Sequence, residues 1–132
     1  MSSKFVTLSS DNYDSVTKSK GIVIVKFSTP RCIKCKKISE WCNTELVELR
    51  TGYAEKLLSS PPCIVFQNHI FGEADLDEVF EFDEVDTITS VPAFVKYVDG
   101  VHVATVCSDD KSVITNGLKL LKQSEYFSDD DY

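Results

Sequence analysis

Gly21-Ile22-Val23-Ile24-Val25-Lys26-Phe27-Ser28-Thr29-Pro30-Arg31-Cys32-Ile33-Lys34-Cys35-Lys36-Lys37-Ile38 is the stretch on which the fold turns. Its first half is apolar and β-branched without alternation, the pattern of a strand buried on both faces. Ser28-Thr29-Pro30 ends that strand, because proline offers no ladder donor. Cys32 and Cys35 follow at once, three residues apart on the expected first turn of a helix. Residues i and i+3 share a helical face, so the two sulfurs can meet. The free N–H groups and partial positive charge of a helix start favour a thiolate over a thiol. Strand, break and C-x-x-C on a helix start is an arrangement suited to dithiol–disulfide chemistry.

Around this centre, the totals describe an ordinary globule. A chain of 132 residues with 42% hydrophobic and 27% charged residues predicts one domain with a sizeable core. The net charge of −7 argues against nucleic acid and anionic membrane as partners. No apolar run reaches the length of a membrane span, and residues 1–8 lack the apolar core of a secretory signal. Five cysteines, an odd number, do not form a disulfide framework. A reducing, cytoplasmic location fits them best, and a virion or an organelle stays open.

Working outward, residues 4–8 form a candidate strand and 12–19 a short helix with Tyr13 and Val16 turned inward. A helix is expected from Arg31 towards Arg50, bent or broken at Thr51-Gly52 and able to resume over 53–58. After Pro61-Pro62, residues 63–67 read as a second buried strand. Residues 68–90 carry eight acidic side chains from Glu73 to Asp86 and read as an exposed acidic insert, a loop followed by a short helix between 77 and 85. Residues 93–98 and 101–107 are strands joined by the hairpin signal Asp99-Gly100. A last helix is expected over 111–124, with an acidic tail at 125–132. The order β-α-β-α-β-α-β-β-α is an α/β architecture with helices on both faces of a mixed sheet.

Three pieces together resemble the thioredoxin family: Val25-Lys26-Phe27 before the site, Cys32-Ile33-Lys34-Cys35-Lys36 at it, and Val91-Pro92-Ala93-Phe94 with Asp99-Gly100 far downstream. The likeness runs from Phe5 to Leu121, within a thioredoxin-like domain of residues 1–124, and residues 68–90 are longer than a minimal member needs. The resemblance implies a thioredoxin fold and a thiol–disulfide oxidoreductase without a bound cofactor, its redox group being a Cys32–Cys35 disulfide. It implies that Cys32 is the nucleophile and Cys35 the buried resolving thiol. It further implies that Pro92 follows a cis bond and, with Val91 and Ile33, meets the substrate. The implied partners are disulfide-containing proteins and a dithiol reductase or oxidase, the chain acting as a monomer or weak dimer.

Several residues depart from the family pattern. Arg31 stands where the family has tryptophan, Ile33-Lys34 replaces Gly-Pro, and Lys26 replaces a buried acid in the strand. Lys26 is open to four readings: snorkelling to water, pairing with an acid of residues 73–86, acting as a base, or having no role at the surface. Arg31 and Lys34 favour the thiolate by charge, so the disulfide should be the stronger oxidant. The same cations suit a substrate with acidic residues near its disulfide. Zinc is disfavoured, because no second C-x-x-C or H-x-x-x-H is present and Cys42, Cys63, Cys107, His69 and His102 are scattered. Cys42, Cys63 and Cys107 read as core thiols. Two other functions stay open. One is a glutaredoxin-like reductase holding glutathione at Ser90-Val91-Pro92 and Ser108-Asp109-Asp110, although Val106-Cys107 replaces the expected Gly-Gly. The other is a binding module that keeps the scaffold without turnover.

Overall fold

A computed structural model of the chain describes residues 5–50, 52–54, 64–66 and 69–120, with 52–54 and 64–66 described by backbone alone. Its elements in order are β1 Val6–Leu8, α1 Tyr13–Thr17, β2 Ile22–Ser28, α2 Ile33–Thr44, β3 Gly52–Ala54, β4 Ile64–Phe66, β5 His69–Asp75, β6 Ala93–Val98, β7 Val101–Cys107 and α3 Lys111–Gly117. Short 3₁₀ turns occupy Leu46–Glu48 and Asp83–Thr87. Five strands form one mixed sheet in the order β1-β5-β2-β6-β7.

The quoted apolar run is the middle strand. β2 pairs in parallel with β5 and antiparallel with β6, and its residues from Ile22 to Phe27 are all buried. Alternation along the strand divides the core in two. Ile22 and Ile24 face the layer of α2 and α3, where Ile38, Trp41, Leu46, Phe94, Ile114 and Leu118 pack. Val23, Val25 and Phe27 face the other layer with Tyr13, Val79, Val95 and Tyr97. The Tyr13 and Tyr97 hydroxyls meet at 2.6 Å in this second core. Burial, offset in part by that hydrogen bond and reinforced by Glu84, pushes the Tyr13 hydroxyl up to about 12.

The middle of the chain differs from its sequence reading. Residues 64–66 do not enter the sheet but pair antiparallel with β3 in a separate two-stranded ribbon. The parallel neighbour of β2 is β5, which lies inside the stretch read as an acidic loop. β5 is accommodated because its acids sit at its C-terminal end, while Ile70, Phe71 and Ala74 reach the two cores. Gly72 allows the buried Leu8 of β1 to close against it, since a Cβ there would lie 2.7 Å from Leu8 Cδ1.

Helix α2 stops at Thr44, and residues 52–54 form a strand rather than a resumed helix. Between 77 and 85 there is no α-helix among the described residues, only a turn after β5 and the 3₁₀ segment. The hairpin at Asp99-Gly100 forms as read, with positive φ at both residues (51° and 86°), the mirror-image turn that matches strand twist. Asp110 caps α3 by accepting the N–H groups of Ser112 and Val113 at 2.9 and 3.2 Å. The helix expected over 111–124 ends at Gly117, with Leu118 as its C-cap and Lys119 at positive φ (57°). Residues 121–124, the acidic tail and Cys63 lie outside the described residues.

Candidate active site

The site lies where β2 hands the chain to α2. Thr29 O accepts the Cys32 N–H at 3.1 Å, which tightens the Pro30-Arg31 turn and leaves Cys32 extended at the helix N-cap. From there Cys32 Sγ accepts the backbone N–H of Cys35 at 3.0 Å. This is the cap position, where a side-chain acceptor satisfies a helix-start donor that would otherwise be unpaired. Cys32 and Cys35 are joined in a disulfide with their Cα atoms 5.2 Å apart. A helix-start N–H held at that position would favour the anion of the first sulfur once the pair is reduced.

The two sulfurs are not equivalent in access. Cys32 is half-buried, whereas Cys35 is only 3% exposed and faces the core. Arg31, Lys34, Lys36 and Lys37 are all exposed around them, and Ile33 stands 67% exposed between the cysteines. The Val91–Pro92 bond is cis. Phe27 pairs with Ala93, so Pro92 lies at the sheet end from which the Ser28-to-Arg31 loop departs. Pro92 is buried and Val91 half-buried.

Lys26 is neither a surface residue nor a snorkelling one. Its parity along β2 turns it towards α2, where it is 5% exposed and donates to Ser39 Oγ at 3.0 Å. Ser39 in turn donates to the Cys35 carbonyl at 2.9 Å. Lys26 sits opposite Glu73 in the β2–β5 register, and Ser28 opposite Asp75. A cleft of about 270 Å³ runs beneath the disulfide, lined by Lys26, Cys35, Lys36, Ser39, Glu73 and Asp75 among others. Ser39 has no place in the sequence reading, although its i+4 spacing to Cys35 puts it on the same helical face. An acid of residues 73–86 is one of the expected companions of Lys26, and the β2–β5 register places Glu73 opposite it.

The remaining described thiols differ in chemistry. Cys42 is buried on α2, and burial pushes its thiol up to about 11, with Lys26 lowering and Glu73 raising it. Cys107 ends β7 half-buried, packed against the edge of the second core. Burial raises its thiol, but N–H donors from Thr89, at 3.5 Å, and Ser90 bring it below the usual cysteine value. At pH 7.5 the oxidised protein is therefore expected to lose Cys107 to iodoacetamide at least about tenfold faster than Cys42, read by peptide mass spectrometry. Among the described residues no cluster of three or more His, Cys, Asp or Glu side chains is placed to hold a metal ion. None of the described helices is long and apolar enough to cross a membrane.

No family model matches the sequence. Thioredoxin 1 of Plasmodium falciparum (isolate 3D7) is 30% identical over 111 residues, covering 84% of this chain and 89% of that protein. Among solved structures, the oxidised thioredoxin of Plasmodium falciparum superposes with a TM-score of 0.60 at 25% identity, covering 87% of this chain and 95% of that one. Mitochondrial thioredoxin 3 of Saccharomyces cerevisiae, also oxidised, gives 0.60 at 15% identity over 87% and 93%, a likeness of fold alone. With most of both chains aligned to a curated thioredoxin and a bonded cysteine pair on the first turn of α2, the chain belongs to the thioredoxin family and is a thiol–disulfide oxidoreductase.

Proposed function

We propose that this oxidoreductase exchanges disulfides with protein substrates, Cys32 acting as nucleophile and Cys35 as resolving thiol. The observation that supports this most is the asymmetry of the pair: one sulfur half-open at a helix N-cap, the other almost fully enclosed. In the reducing direction the Cys32 thiolate attacks one sulfur of the substrate disulfide. A Cys32–substrate bond forms and the second substrate sulfur leaves as a thiolate. Cys35 then attacks Cys32 Sγ, the internal disulfide closes, and the first substrate sulfur is released. Two electrons pass from the dithiol to the substrate, and a dithiol reductase restores the pair. With an oxidase as partner the same steps run in reverse.

Arg31 and Lys34 stabilise the Cys32 thiolate and attract substrates with acidic residues beside their disulfide. Ile33 offers an apolar contact, and the edge at Val91-Pro92 receives the substrate backbone by strand-like addition. A cytoplasmic setting suits a chain in which Cys42 and Cys107 are free thiols.

The reduction potential of the pair tests the role given to the cations. It is titrated against glutathione and dithiothreitol with Cys42, Cys63 and Cys107 changed to serine. The expected value lies above about −240 mV, since a stabilised thiolate stabilises the reduced form. A couple near about −270 mV removes Arg31 and Lys34 from the account, and the absence of a reversible couple removes the exchange reaction itself.

A further inference from the structure

Resolution by Cys35 needs a destination for a proton. Cys35 is 3% exposed, so its thiol cannot shed the proton directly into bulk water, and the route open to it is the cleft beneath the disulfide. The charged groups facing that space can be taken element by element. From β2 comes Lys26, already a donor to Ser39 and so unable to accept while it is an ammonium. From α2 comes the exposed Lys36, while the buried thiol of Cys42 is not among the residues that line the cleft. β1 contributes only the uncharged Thr7 in register with Glu73. From β5 come two carboxylates, Glu73 and Asp75. Asp75 is engaged with its own turn, its Oδ1 accepting the Asp77 N–H at 2.9 Å. Glu73 lies one pleat deeper, half-buried and opposite Lys26.

We propose that Glu73 accepts the Cys35 proton as the mixed disulfide is resolved, the transfer running through water in the β2–β5–α2 cleft. This rests on the role of Cys35 as resolving thiol. As Cys35 Sγ bonds to Cys32 Sγ, the bond from Cys32 to the substrate sulfur breaks and its electron pair leaves with the substrate thiolate. The Cys35 proton passes to the Glu73 carboxylate and from there to solvent, so charge and atoms balance without a further reactant. The cleft is roomy and polar enough to hold the bridging water. A carboxylate on the strand beside β2 then serves the buried thiol, with the cation on β2 itself.

The test uses the full chain with Cys42, Cys63 and Cys107 changed to serine, and 5,5′-dithiobis(2-nitrobenzoate) as the probe. In stopped flow the first release of thionitrobenzoate reports attack by Cys32. The second, independent of reagent concentration, reports resolution by Cys35. In Glu73→Gln the second phase should slow about tenfold or more at pH 6, and the deficit should close towards pH 9 as hydroxide takes over the proton. The first phase should be unchanged, which also shows that the site is folded. Glu73→Asp should recover much of the loss, and Asp75→Asn should resemble the unaltered protein. A second phase unaffected by Glu73→Gln, a slowing equal at every pH, or a pH-dependent loss in Asp75→Asn instead would each overturn the assignment. Insulin reduction, measured alongside, separates the two layers. Turnover with an unaltered second phase in Glu73→Gln sinks only the role of Glu73. No turnover beside an intact second phase sinks the protein-substrate reading.

Discussion

Replacing Cys32 with serine is expected to abolish disulfide reduction, lowering the rate with insulin by at least about a thousandfold. The chemistry requires a sulfur anion, and a serine hydroxyl is scarcely ionised at any pH the fold survives. The fold should tolerate the change well, because serine is itself a preferred N-cap. Its Oγ can take the Cys35 N–H that the sulfur now accepts at 3.0 Å. Loss of activity with an unchanged melting profile is therefore the expected pair of results. Cys35→Ser should behave differently. Cys32 remains free to attack, so a mixed disulfide should accumulate and appear as a mass increase on non-reducing gels. Activity surviving in Cys32→Ser would shift the chemistry to another thiol, with the half-exposed Cys107 the first to examine.

Truncating Phe27 to alanine should cost about 3–5 kcal/mol of stability and lower the melting temperature by roughly 10–20 °C. Phe27 is fully enclosed, with its ring 5.9 Å from that of Tyr13, and Tyr13 is stacked on Phe82 at 4.6 Å. Removing the ring leaves a cavity in the second core, bordered by Tyr13 of α1, whose hydroxyl is tied to Tyr97 at 2.6 Å. The loss is read from the denaturant midpoint at unchanged slope. Phe27 also precedes Ser28 and the turn to Cys32, so limited proteolysis should open the site loop before the β6–β7 hairpin.

The site was legible in the sequence because each of its signals is local. A β-branched run without alternation, a Ser-Thr-Pro break and two cysteines three apart specify a buried strand, its end and a dithiol at a helix start. The Asp99-Gly100 turn was equally plain, since both residues tolerate positive φ. What escaped was β5, whose strand character depends on its neighbours. His69-Ile70-Phe71-Gly72-Glu73-Ala74-Asp75 has few apolar residues and two acids, so its own pattern pointed to solvent. The adjacent Ile64-Val65-Phe66 looked the better core strand. β5 is held by ladders to β1 and β2, and its acids are tolerated because that face opens into the cleft. Misplacing β5 hid the Lys26–Glu73 register as well, so an acid of residues 73–86 stood only as one of four readings of Lys26 and Glu73 could not be singled out.

The strand order carries a consequence for how the chain is made. β2 and the cysteines after it are complete within the first 44 residues, yet both partners of β2 come from later in the chain, β5 at 69–75 and β6 at 93–98. A nascent chain leaving the ribosome therefore presents its most apolar segment and its most reactive thiols before either ladder can form. For some tens of residues of synthesis, β2 has two open edges, the condition under which strands pair with the wrong neighbour. The β6–β7 hairpin, closed by a two-residue turn, can form in microseconds once translated. Its docking on β2 then buries the strand on one side and brings Pro92 to the end of the sheet where Cys32 has been waiting.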